Sequence, residues 1–493
     1  MKAPATTQKL RGGYYTPKLI ADFLADWAIQ TATTTILEPS YGDGNILEAA
    51  IEVLLRRGAQ MTEIPSFVHG VEHDAQEARK AADRFAHLDI PKLYQLRTSD
   101  FFDYCCETLF EQTRFDAIIG NPPFIRYQHF QEEQRSIAFR LMNQAGLSPS
   151  RLTNAWVPFL VASTLLLNEQ YGRIAMIIPA ELLQVNYAAE LRQFLIDQYS
   201  KITLITFKKL VFDGIQQEVV LFLGERNGDD RTGIRTIELD DMHELASFQY
   251  THFSLNEIKA MDHSREKWTQ YFLDQDEIDL LRLIRLNKQV TLSGKVIDVD
   301  VGVVTGLNDF FILTQQQTRD LSLGLYTQPI VTRSGHLKSI QFTLDDFIEN
   351  STNQLPSRIL DAPNVPFGEL PEAVKRYVAQ GEANGVNTGY KCRIRARWYV
   401  VPSVWTPDAY MLRQVHSFPK IILNRTRATS TDTIHRVKFL SDLPPKEITA
   451  AFLNSLTFAF TEVVGRSYGG GVLELGRICK PSDSKAAPPL LPL

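Results

Sequence analysis

Residues 35–45 read Thr35-Ile36-Leu37-Glu38-Pro39-Ser40-Tyr41-Gly42-Asp43-Gly44-Asn45, and this stretch decides how the first half of the chain folds. The apolar run 35–37 is a strand candidate, and a turn with two glycines separates it from a helical stretch at 46–57. A strand that passes through such a turn into a helix is the unit from which a sheet flanked by helices is built. The stretch therefore predicts an α/β fold.

The same alternation extends from about residue 19 to residue 224, where helical stretches such as 75–86 separate short apolar runs. The last two runs are about a dozen residues apart, which is too short for a helical crossover, so we expect them to pair antiparallel. The pattern predicts one doubly wound, Rossmann-like sheet of seven strands. The predicted strands are 35–37, 67–71, 93–96, 115–119, 173–178, 202–206 and 219–223.

The regular alternation ends at the polar run 226–233, and the rest of the chain mixes short strand-like runs with loops. We place the domain boundary between about 225 and 265, which gives a first domain over 1–240 and a mixed α+β domain over 241–480. The segment 481–493 is rich in proline, and we expect it to be an extended or disordered tail.

Composition narrows the class of protein. With 44% hydrophobic and 22% charged residues the chain is typical of a globular protein. Its most apolar stretch, 156–167, is well short of the ~20 residues of a membrane-spanning helix, and the start of the chain shows no secretion signal. The four cysteines are too scattered for a disulfide framework or a zinc site, so we expect a cytoplasmic protein without a metal.

The net charge of −5 gives no global sign of a nucleic-acid partner, but the charge is unevenly distributed. The region 391–438 holds a local basic excess against only Asp408 and Asp432, and such an excess can neutralise phosphates. Its basic residues are Lys391, Arg393, Arg395, Arg397, Arg413, Lys420, Arg425, Arg427, Arg436 and Lys438.

Acidic and aromatic side chains follow three successive predicted strands. Glu38 after the first can hold a cationic amine, Glu72 after the second can accept hydrogen bonds from ribose hydroxyls, and Asp100 with Phe101 after the third can bind and stack an adenine. Each carboxylate taken alone is equally compatible with a solvated group at a strand end. Together they predict a nucleoside-binding site at the carboxyl edge of the sheet.

The fourth strand ends in Gly120-Asn121-Pro122-Pro123-Phe124, which is the most specific motif in the chain. It resembles the catalytic loop of amino-methyltransferases. The lone pair of an exocyclic amine is delocalised into the ring, so catalysis has to draw it toward the incoming methyl group. The Asn121 side-chain oxygen and the Pro122 carbonyl can accept the two amine hydrogens, while Phe124 offers a stacking face.

The order of motifs resembles the gamma-class (TaqI-like) adenine-specific DNA amino-methyltransferases of type II restriction-modification systems. Here the opening Gly12-Gly13-Tyr14-Tyr15-Thr16-Pro17 matches the N-terminal cofactor motif of that class. The resemblance implies S-adenosyl-L-methionine as cofactor, no metal, and a C-terminal target-recognition domain, which 301–308 and 468–471 match more loosely. The implied cofactor-binding residues are Thr16, Glu38, Ser40, Gly42, Gly44, Glu72, Asp100 and Phe101.

The resemblance also implies roles for the loops that face the substrate. Asn121, Pro122, Pro123 and Phe124 would be catalytic, with Phe124 in place of the usual tyrosine, and Phe212 together with Phe124 would stack on the target base. A plain core phenylalanine is the competing interpretation of Phe212. The implied DNA-binding residues are Lys391, Arg393, Arg395, Arg397, Arg425 and Arg427.

The resulting hypothesis is a site-specific DNA methyltransferase that methylates the N6 amine of an adenine extruded from duplex DNA. We expect a monomer that does not associate with membranes. A cognate restriction endonuclease that acts on the same DNA site is the expected partner. Methylation of a cytosine ring carbon is excluded, because it requires a cysteine after proline and none of the four cysteines follows one. The alternatives left open are the cytosine N4 amine and a protein glutamine amide, which need the same loop chemistry.

Overall fold

The computed structural model describes residues 15–212, 218–226, 232–248, 253, 257–262, 266–415, 417–467, 473–475 and 489–490. The chain divides into two compact units, of which the first reaches Asp279 and the second begins at Leu280. Of the predicted features, the glycines of the opening motif, the 468–471 segment and most of the proline-rich tail lie outside the described residues.

The described part of the first unit contains one sheet of eight strands in the order β3-β2-β1-β4-β5-β7-β6-β8. Its strands are β1 Ile36–Glu38, β2 Val68–Glu72, β3 Leu96–Thr98, β4 Ala117–Gly120, β5 Arg173–Pro179, β6 Lys201–Phe207, β7 Val219–Glu225 and β8 Gly233–Leu239. The helices of this unit are Lys18–Ala28, Asn45–Arg56, Ile64–Phe67, Ala75–His87, Phe101–Phe110, Glu132–Gln144, Trp156–Leu166, Glu181–Gln184, Ala189–Gln198 and, running into the second unit, Gln275–Leu286.

The strands from β3 to β5 are all parallel, and the strand order reverses between β1 and β4. In open α/β sheets, ligands bind at the carboxyl ends of the strands beside such a reversal. The expected antiparallel pairing of the last two predicted strands is confirmed, because β6 and β7 pair antiparallel from Lys201 opposite Glu225 onward. The predicted α/β fold is therefore confirmed, with the carboxyl edge near β1 and β4 as the natural place for a site.

The sheet has one strand more than the seven predicted. β8 pairs parallel with β6 at the edge of the sheet, and it follows directly on the polar run that we took as the end of the alternation. The first unit also continues past β8, since Lys259 bridges Ile234 and the Thr236 hydroxyl donates to the Tyr271 carbonyl at 2.7 Å. The predicted division of the chain into two functional domains at 240/241 stays a prediction.

Two hydrophobic clusters cover the two faces of the sheet. On β5, Ile174, Met176 and Ile178 belong to one cluster, and Ala175 and Ile177 belong to the other. Successive side chains of a strand point to opposite faces, so a strand that is apolar at every position is buried on both. This double burial fixes the sheet, and with it the positions of the loops at its carboxyl edge.

The most apolar stretch of the sequence forms the helix Trp156–Leu166, which is 11 residues long and packs into the first of these clusters. Almost all of its side chains are buried, which explains why it shows no polar face. Among the helices described for this chain, none is both long and apolar enough to cross a bilayer.

The second unit is mixed α+β, as predicted, and its described part is built on several small sheets. A five-stranded sheet has the order β10-β19-β15-β17-β13 and a four-stranded sheet has the order β11-β14-β12-β18. Its strands are β9 Thr291–Leu292, β10 Ile297–Asp300, β11 Ile312–Leu313, β12 Thr327–Val331, β13 Gln341–Phe342, β14 Arg358–Leu360, β15 Ala409–Leu412, β16 Gln414–Val415, β17 Ile421–Asn424, β18 Thr429–Ser430, β19 Ile434–Phe439, β20 Arg466–Ser467, β21 Leu473–Glu474 and β22 Pro489–Leu490. Its helices are Asn308–Phe311, Gln315–Asp320, Leu344–Thr352, Glu372–Ala383, Tyr390–Arg393, Pro445–Phe452 and Ser455–Val464.

In the part of the tail that the structure describes, Pro489 and Leu490 are extended and pair antiparallel with β9.

Candidate active site

A cavity of about 650 Å³ lies at the carboxyl edge of the sheet in the first unit. Nine of the predicted site residues line it: Thr16, Glu38, Ser40, Gly42, Glu72, Asp100, Phe101, Asn121 and Pro123. They come from the segment before the helix Lys18–Ala28 and from the ends of β1, β2, β3 and β4. Residues that are about a hundred positions apart in the sequence therefore meet in one place, because parallel neighbouring strands end at the same edge.

The glycine-containing turn after β1 has the backbone shape that its sequence suggests. Gly44 has a φ of +85°, and a Cβ there would lie 2.9 Å from the ring of Phe85, so no other residue fits without strain. Arg84 holds the turn from outside, donating to the Asp43 carboxylate at 2.8 Å and to Glu48 at 2.7 Å. Sequence reasoning missed Arg84, whose position on the helix Ala75–His87 looks like that of any exposed helical arginine.

Glu38 is the most unusual ionisable group of the cavity. It is 2% exposed, and its Oε2 atom takes no hydrogen bond from any described residue. Burial raises the pKa of this carboxyl well above its ordinary value, and the neighbouring Asp43 and Glu72 raise it further, while a hydrogen bond from the Leu47 backbone N–H opposes them. A buried carboxylate oxygen without a partner is costly on its own and is well suited to a cationic ligand.

Glu72 and Asp100 are fixed by backbone N–H groups. The Gly42 N–H donates to Glu72 Oε2 at 2.9 Å and the Asp74 N–H donates to Oε1 at 2.7 Å. Asp100 caps the helix Phe101–Phe110, accepting at Oδ1 from the backbone N–H groups of Phe102 and Asp103. Burial raises the pKa of both carboxyls. The Asp100 Oδ2 atom takes neither capping bond, and each Glu72 oxygen retains a second lone pair for a ligand.

The loop after β4 is held by the loop after β1 and by the segment before the first helix. The Ser40 hydroxyl donates to the Asn121 backbone carbonyl at 3.2 Å, and the Asn121 side-chain amide donates to the Thr16 hydroxyl at 3.4 Å. The second contact turns the side-chain nitrogen of Asn121 toward Thr16. The side-chain oxygen of Asn121 therefore points away from Thr16. A Cβ on Gly120 would lie 3.2 Å from Pro39, so the two loops also pack closely.

A polar cluster that sequence reasoning missed supports the chain just beyond this loop. Asn154 Oδ1 accepts from the Tyr127 backbone N–H at 3.2 Å, and its amide nitrogen lies 3.3 Å from both Glu181 Oε2 and the Tyr187 hydroxyl. The Tyr187 hydroxyl donates to Glu181 at 2.7 Å, and the Ala155 N–H donates to the Ile125 carbonyl. These residues are polar positions of ordinary appearance in the sequence, and only the fold brings them together.

An aromatic wall closes one side of the cavity. Phe101, Phe102 and Phe159 all line it, and the rings of Phe101 and Phe159 stack with centroids 5.0 Å apart at 19°. Phe101 thus stands where the sequence places it, beside Asp100. Phe159 was missed, because it lies in the apolar helix Trp156–Leu166 and looks like one core residue among many.

The two predicted base-stacking residues lie away from this lining. Phe124 is partly buried against both core clusters, and the loop contributes its neighbours Pro123 and Ile125 to the cavity. Phe212 is 6% exposed and belongs to the second core cluster, which matches the competing interpretation of a core phenylalanine. The chain directly after it, residues 213–217, lies outside the described residues, so its stacking role stays a prediction.

The predicted DNA-binding residues of the second unit fall into two groups. Four of them are exposed: Lys391, Arg393, Arg425 and Arg427. Arg395 instead donates to the backbone carbonyls of Val304 and Thr305 at 2.9 and 2.7 Å. Arg397 is half-buried and donates to Asn364 at 2.6 Å.

Arg436, which we counted in the basic region, is 2% exposed and donates to the backbone carbonyls of Val301 and Ser403. It therefore serves the interior of the second unit and is not available to phosphates.

Two family models match the chain. Residues 44–212 match the Eco57I restriction-modification methylase, and residues 265–485 match the C-terminal domain of the type II methyltransferase M.Eco57I. The type II methyltransferase M.AccI of Acinetobacter calcoaceticus is 22% identical over 93% of this chain and 82% of its own length. M.BstVI of Geobacillus stearothermophilus is 24% identical over 63% of this chain, which spans 61% of that relative.

Solved structures show a looser likeness. A DrdV–DNA complex overlaps 71% of this chain and 40% of the DrdV chain, with 15% identity and a TM-score of 0.47.

Proposed function

We propose that this chain, which belongs to the Eco57I-type methylases of type II restriction-modification systems, transfers a methyl group from S-adenosyl-L-methionine to the N6 amine of an adenine extruded from duplex DNA. The observation that carries the proposal is that Glu38, Glu72, Asp100 and Asn121 line a single cavity, with Thr16 beside them. Membership of the family supports a DNA methyltransferase. The cofactor, the target base and the roles of the individual residues are proposed.

The cavity residues fit this cofactor. S-adenosyl-L-methionine supplies a methyl group on a positively charged sulfur, and it carries an ammonium group, a ribose and an adenine. Glu38, with its unpartnered buried oxygen, would pair with the ammonium group. Glu72 would accept from the ribose hydroxyls, and Asp100 Oδ2 from the adenine amine beside the Phe101 ring. The turn from Ser40 to Gly44 and the Thr16 side chain would enclose the methionine end.

The loop Asn121 to Phe124 would activate the acceptor amine. The Asn121 side-chain oxygen and the Pro122 carbonyl accept its two hydrogens, which turns the nitrogen lone pair toward the methyl group and stabilises positive charge as it develops. Pro122 and Pro123 restrict the backbone, so little reorganisation is needed at the moment of transfer. Thr16 and Ser40 hold Asn121 in place through the contacts described above.

The DNA partner is inferred from the second unit and from the need to reach a stacked base. An adenine in a duplex has to leave the stack to enter the cavity, at a cost of a few kcal/mol. Four exposed cations would neutralise phosphates: Lys391, Arg393, Arg425 and Arg427. They lie in the segment 241–480, which we propose as the target-recognition domain. We propose that the enzyme acts as a monomer and protects its site against a cognate endonuclease.

The cytosine N4 amine is the second candidate acceptor, because its lone pair is delocalised in the same way and Asn121 and Pro122 would serve it equally. A protein glutamine amide is the third, and the family membership speaks against it.

The test is methyl transfer from labelled S-adenosyl-L-methionine to unmethylated duplex DNA, followed by digestion to nucleosides and mass identification. N6-methyl-2′-deoxyadenosine is the expected product. N4-methylcytosine would correct the base, and the absence of any methylated nucleoside despite cofactor binding would overturn the DNA substrate.

Asn121→Ala tests the loop. We expect its single-turnover rate to fall by at least about a hundredfold while cofactor and DNA affinities stay near wild type, because the lost acceptor acts mainly in the transition state. Asn143→Ala is the matched control, since Asn143 is exposed on the helix Glu132–Gln144. Equal rates for the two variants would refute the assignment of Asn121.

A further inference from the structure

Two segments of the second unit, far apart in the sequence, are fastened together at the surface. Gly306 has a φ of +90°, and a Cβ there would lie 2.9 Å from the Cβ of Lys391, so the backbone of the first segment runs directly against the second. Arg395 reaches back and donates to the carbonyls of Val304 and Thr305 at 2.9 and 2.7 Å. The segments 304–307 and 390–394 therefore form one continuous piece of surface.

This surface is fixed from below. The guanidinium of Arg395 lies over the ring of the buried Phe311, 5.5 Å from its centroid, and burial lowers the pKa of this arginine. The Thr305 hydroxyl donates to the Asn308 side chain at 2.6 Å. Arg395 therefore holds the segment 304–307 in place, whereas the nearby Lys391 and Arg393 are exposed.

The surface exposes several large apolar side chains to solvent. Val304 is 38% exposed, Leu307 42%, Tyr390 65% and Ile394 60%. Exposed large apolar residues that stand alone need no explanation, but four of them on two touching segments form a patch of the kind that marks an interaction site.

The same surface is basic. Lys391 and Arg393 are exposed between Tyr390 and Ile394, and neither 301–308 nor 384–398 contains an aspartate or a glutamate. The nearest acid in the sequence is Asp309, which follows the first segment directly. Asp309 is exposed at the edge of this surface, while the exposed cations Lys391 and Arg393 lie among its apolar side chains. Apolar side chains with flanking cations complement a nucleic-acid duplex, whose phosphates are negative and whose bases and sugars offer apolar edges.

We propose that this surface, the 304/390 surface, is a contact face for duplex DNA. Lys391 and Arg393 neutralise phosphates, while Leu307, Tyr390 and their apolar neighbours contact bases and sugars in a groove. The proposal rests on the proposed function, and it adds to it the apolar part of the contact. It is defined by Val304, Leu307, Tyr390, Lys391, Arg393 and Ile394.

The two kinds of side chain predict different effects, which a binding titration on the full chain separates. The probe is a fluorescent duplex that carries the methylated site once it is mapped, titrated over a series of salt concentrations. Lys391→Ala with Arg393→Ala is expected to reduce the slope of log affinity against log salt by up to about 1.8, since each neutralised phosphate contributes about 0.9. Leu307→Ala with Tyr390→Ala is expected to weaken binding by about tenfold without changing the slope.

Matched controls come from the same unit. Leu325 is 93% exposed and Lys446 is exposed, and both lie outside the 304/390 surface, so Leu325→Ala and Lys446→Ala are expected to bind within about twofold of wild type. Circular dichroism and thermal melting show that each variant is folded.

The proposal is overturned if Leu307→Ala with Tyr390→Ala binds like Leu325→Ala, or if the basic pair keeps the wild-type salt slope, while the wild-type protein still binds and methylates DNA. Failure of the wild-type protein to bind duplex DNA would instead remove the proposed function and this surface together. The two failures are distinguished by the wild-type titration alone.

Discussion

Replacing Glu38 by glutamine is expected to stabilise the protein and, at the same time, to weaken cofactor binding. The change keeps the size of the side chain and removes its charge. In the ligand-free protein the carboxyl is buried, with one oxygen that takes no hydrogen bond from the described residues and with Asp43 and Glu72 as acidic neighbours that raise its pKa further. Glutamine keeps a polar group at this position but has no charge to bury or to neutralise on folding, so Glu38→Gln should raise the free energy of unfolding by about 1–3 kcal/mol near neutral pH.

The opposite effect is expected with the cofactor bound. A charge-assisted hydrogen bond contributes about 1.5–3 kcal/mol, so loss of the negative charge should weaken the binding of S-adenosyl-L-methionine by roughly ten- to a hundredfold. Calorimetry measures the affinity, and urea unfolding measures the stability. An unchanged affinity together with a lowered stability would show that Glu38 is a structural residue, and the assignment of the ammonium subsite would be refuted.

The pH dependence gives an independent check on Glu38. Its pKa is raised in the folded protein, so between the ordinary carboxyl pKa and the raised value the folded state binds more protons than the unfolded state. Stability contributed by this group is therefore lost as pH rises through that window, and the stability advantage of Glu38→Gln should grow with pH. Cofactor binding should strengthen over the same window in the wild type, because the ligand requires the ionised form.

Two further variants test residues that hold the structure around the sites. Asn154→Ala removes the acceptor of the Tyr127 N–H, so we expect the methyl-transfer rate to fall roughly tenfold or more through displacement of the proposed catalytic loop, with cofactor affinity unchanged. A rate equal to that of Asn143→Ala would contradict this. Arg436→Met removes the hydrogen bonds that the buried guanidinium donates to the Val301 and Ser403 carbonyls, and should lower the free energy of unfolding by about 1–3 kcal/mol in a urea titration. A loss no larger than that of a variant at the exposed Lys438 would mean that Arg436 contributes little.

The central sheet could be predicted from sequence because its strands are apolar at nearly every position. β5 and β7 are buried on both faces, and such runs stand out between helices and turns. β8 was missed because it is an edge strand that follows a polar run and carries Arg235 and Glu238 among its apolar residues. Its membership of the sheet depends on a long-range parallel pairing with β6, which leaves no local signal in the sequence.

The candidate site shows the same division. The meeting of Glu38, Glu72, Asp100 and Asn121 in one cavity could be predicted, because each lies at or just after the end of a strand and parallel strands bring their ends together. Arg84 and Asn154 could not, since each acts on a loop that is distant in sequence. In the basic region 391–438, the sequence likewise does not distinguish the exposed Arg393 from the buried Arg436. Charge can be counted in a sequence, but burial is a property of the fold.

The direct pairing of β1 with β4 bears on how such an enzyme can change its target. The loop proposed for the methyl donor and the loop proposed for the acceptor leave adjacent strands of one rigid sheet, and every residue that lines the cavity lies before residue 160. Sequence change in the second unit replaces none of these lining residues. We therefore expect the site specificity to be exchangeable between relatives by replacing the second unit, with the chemistry inherited unaltered from the first.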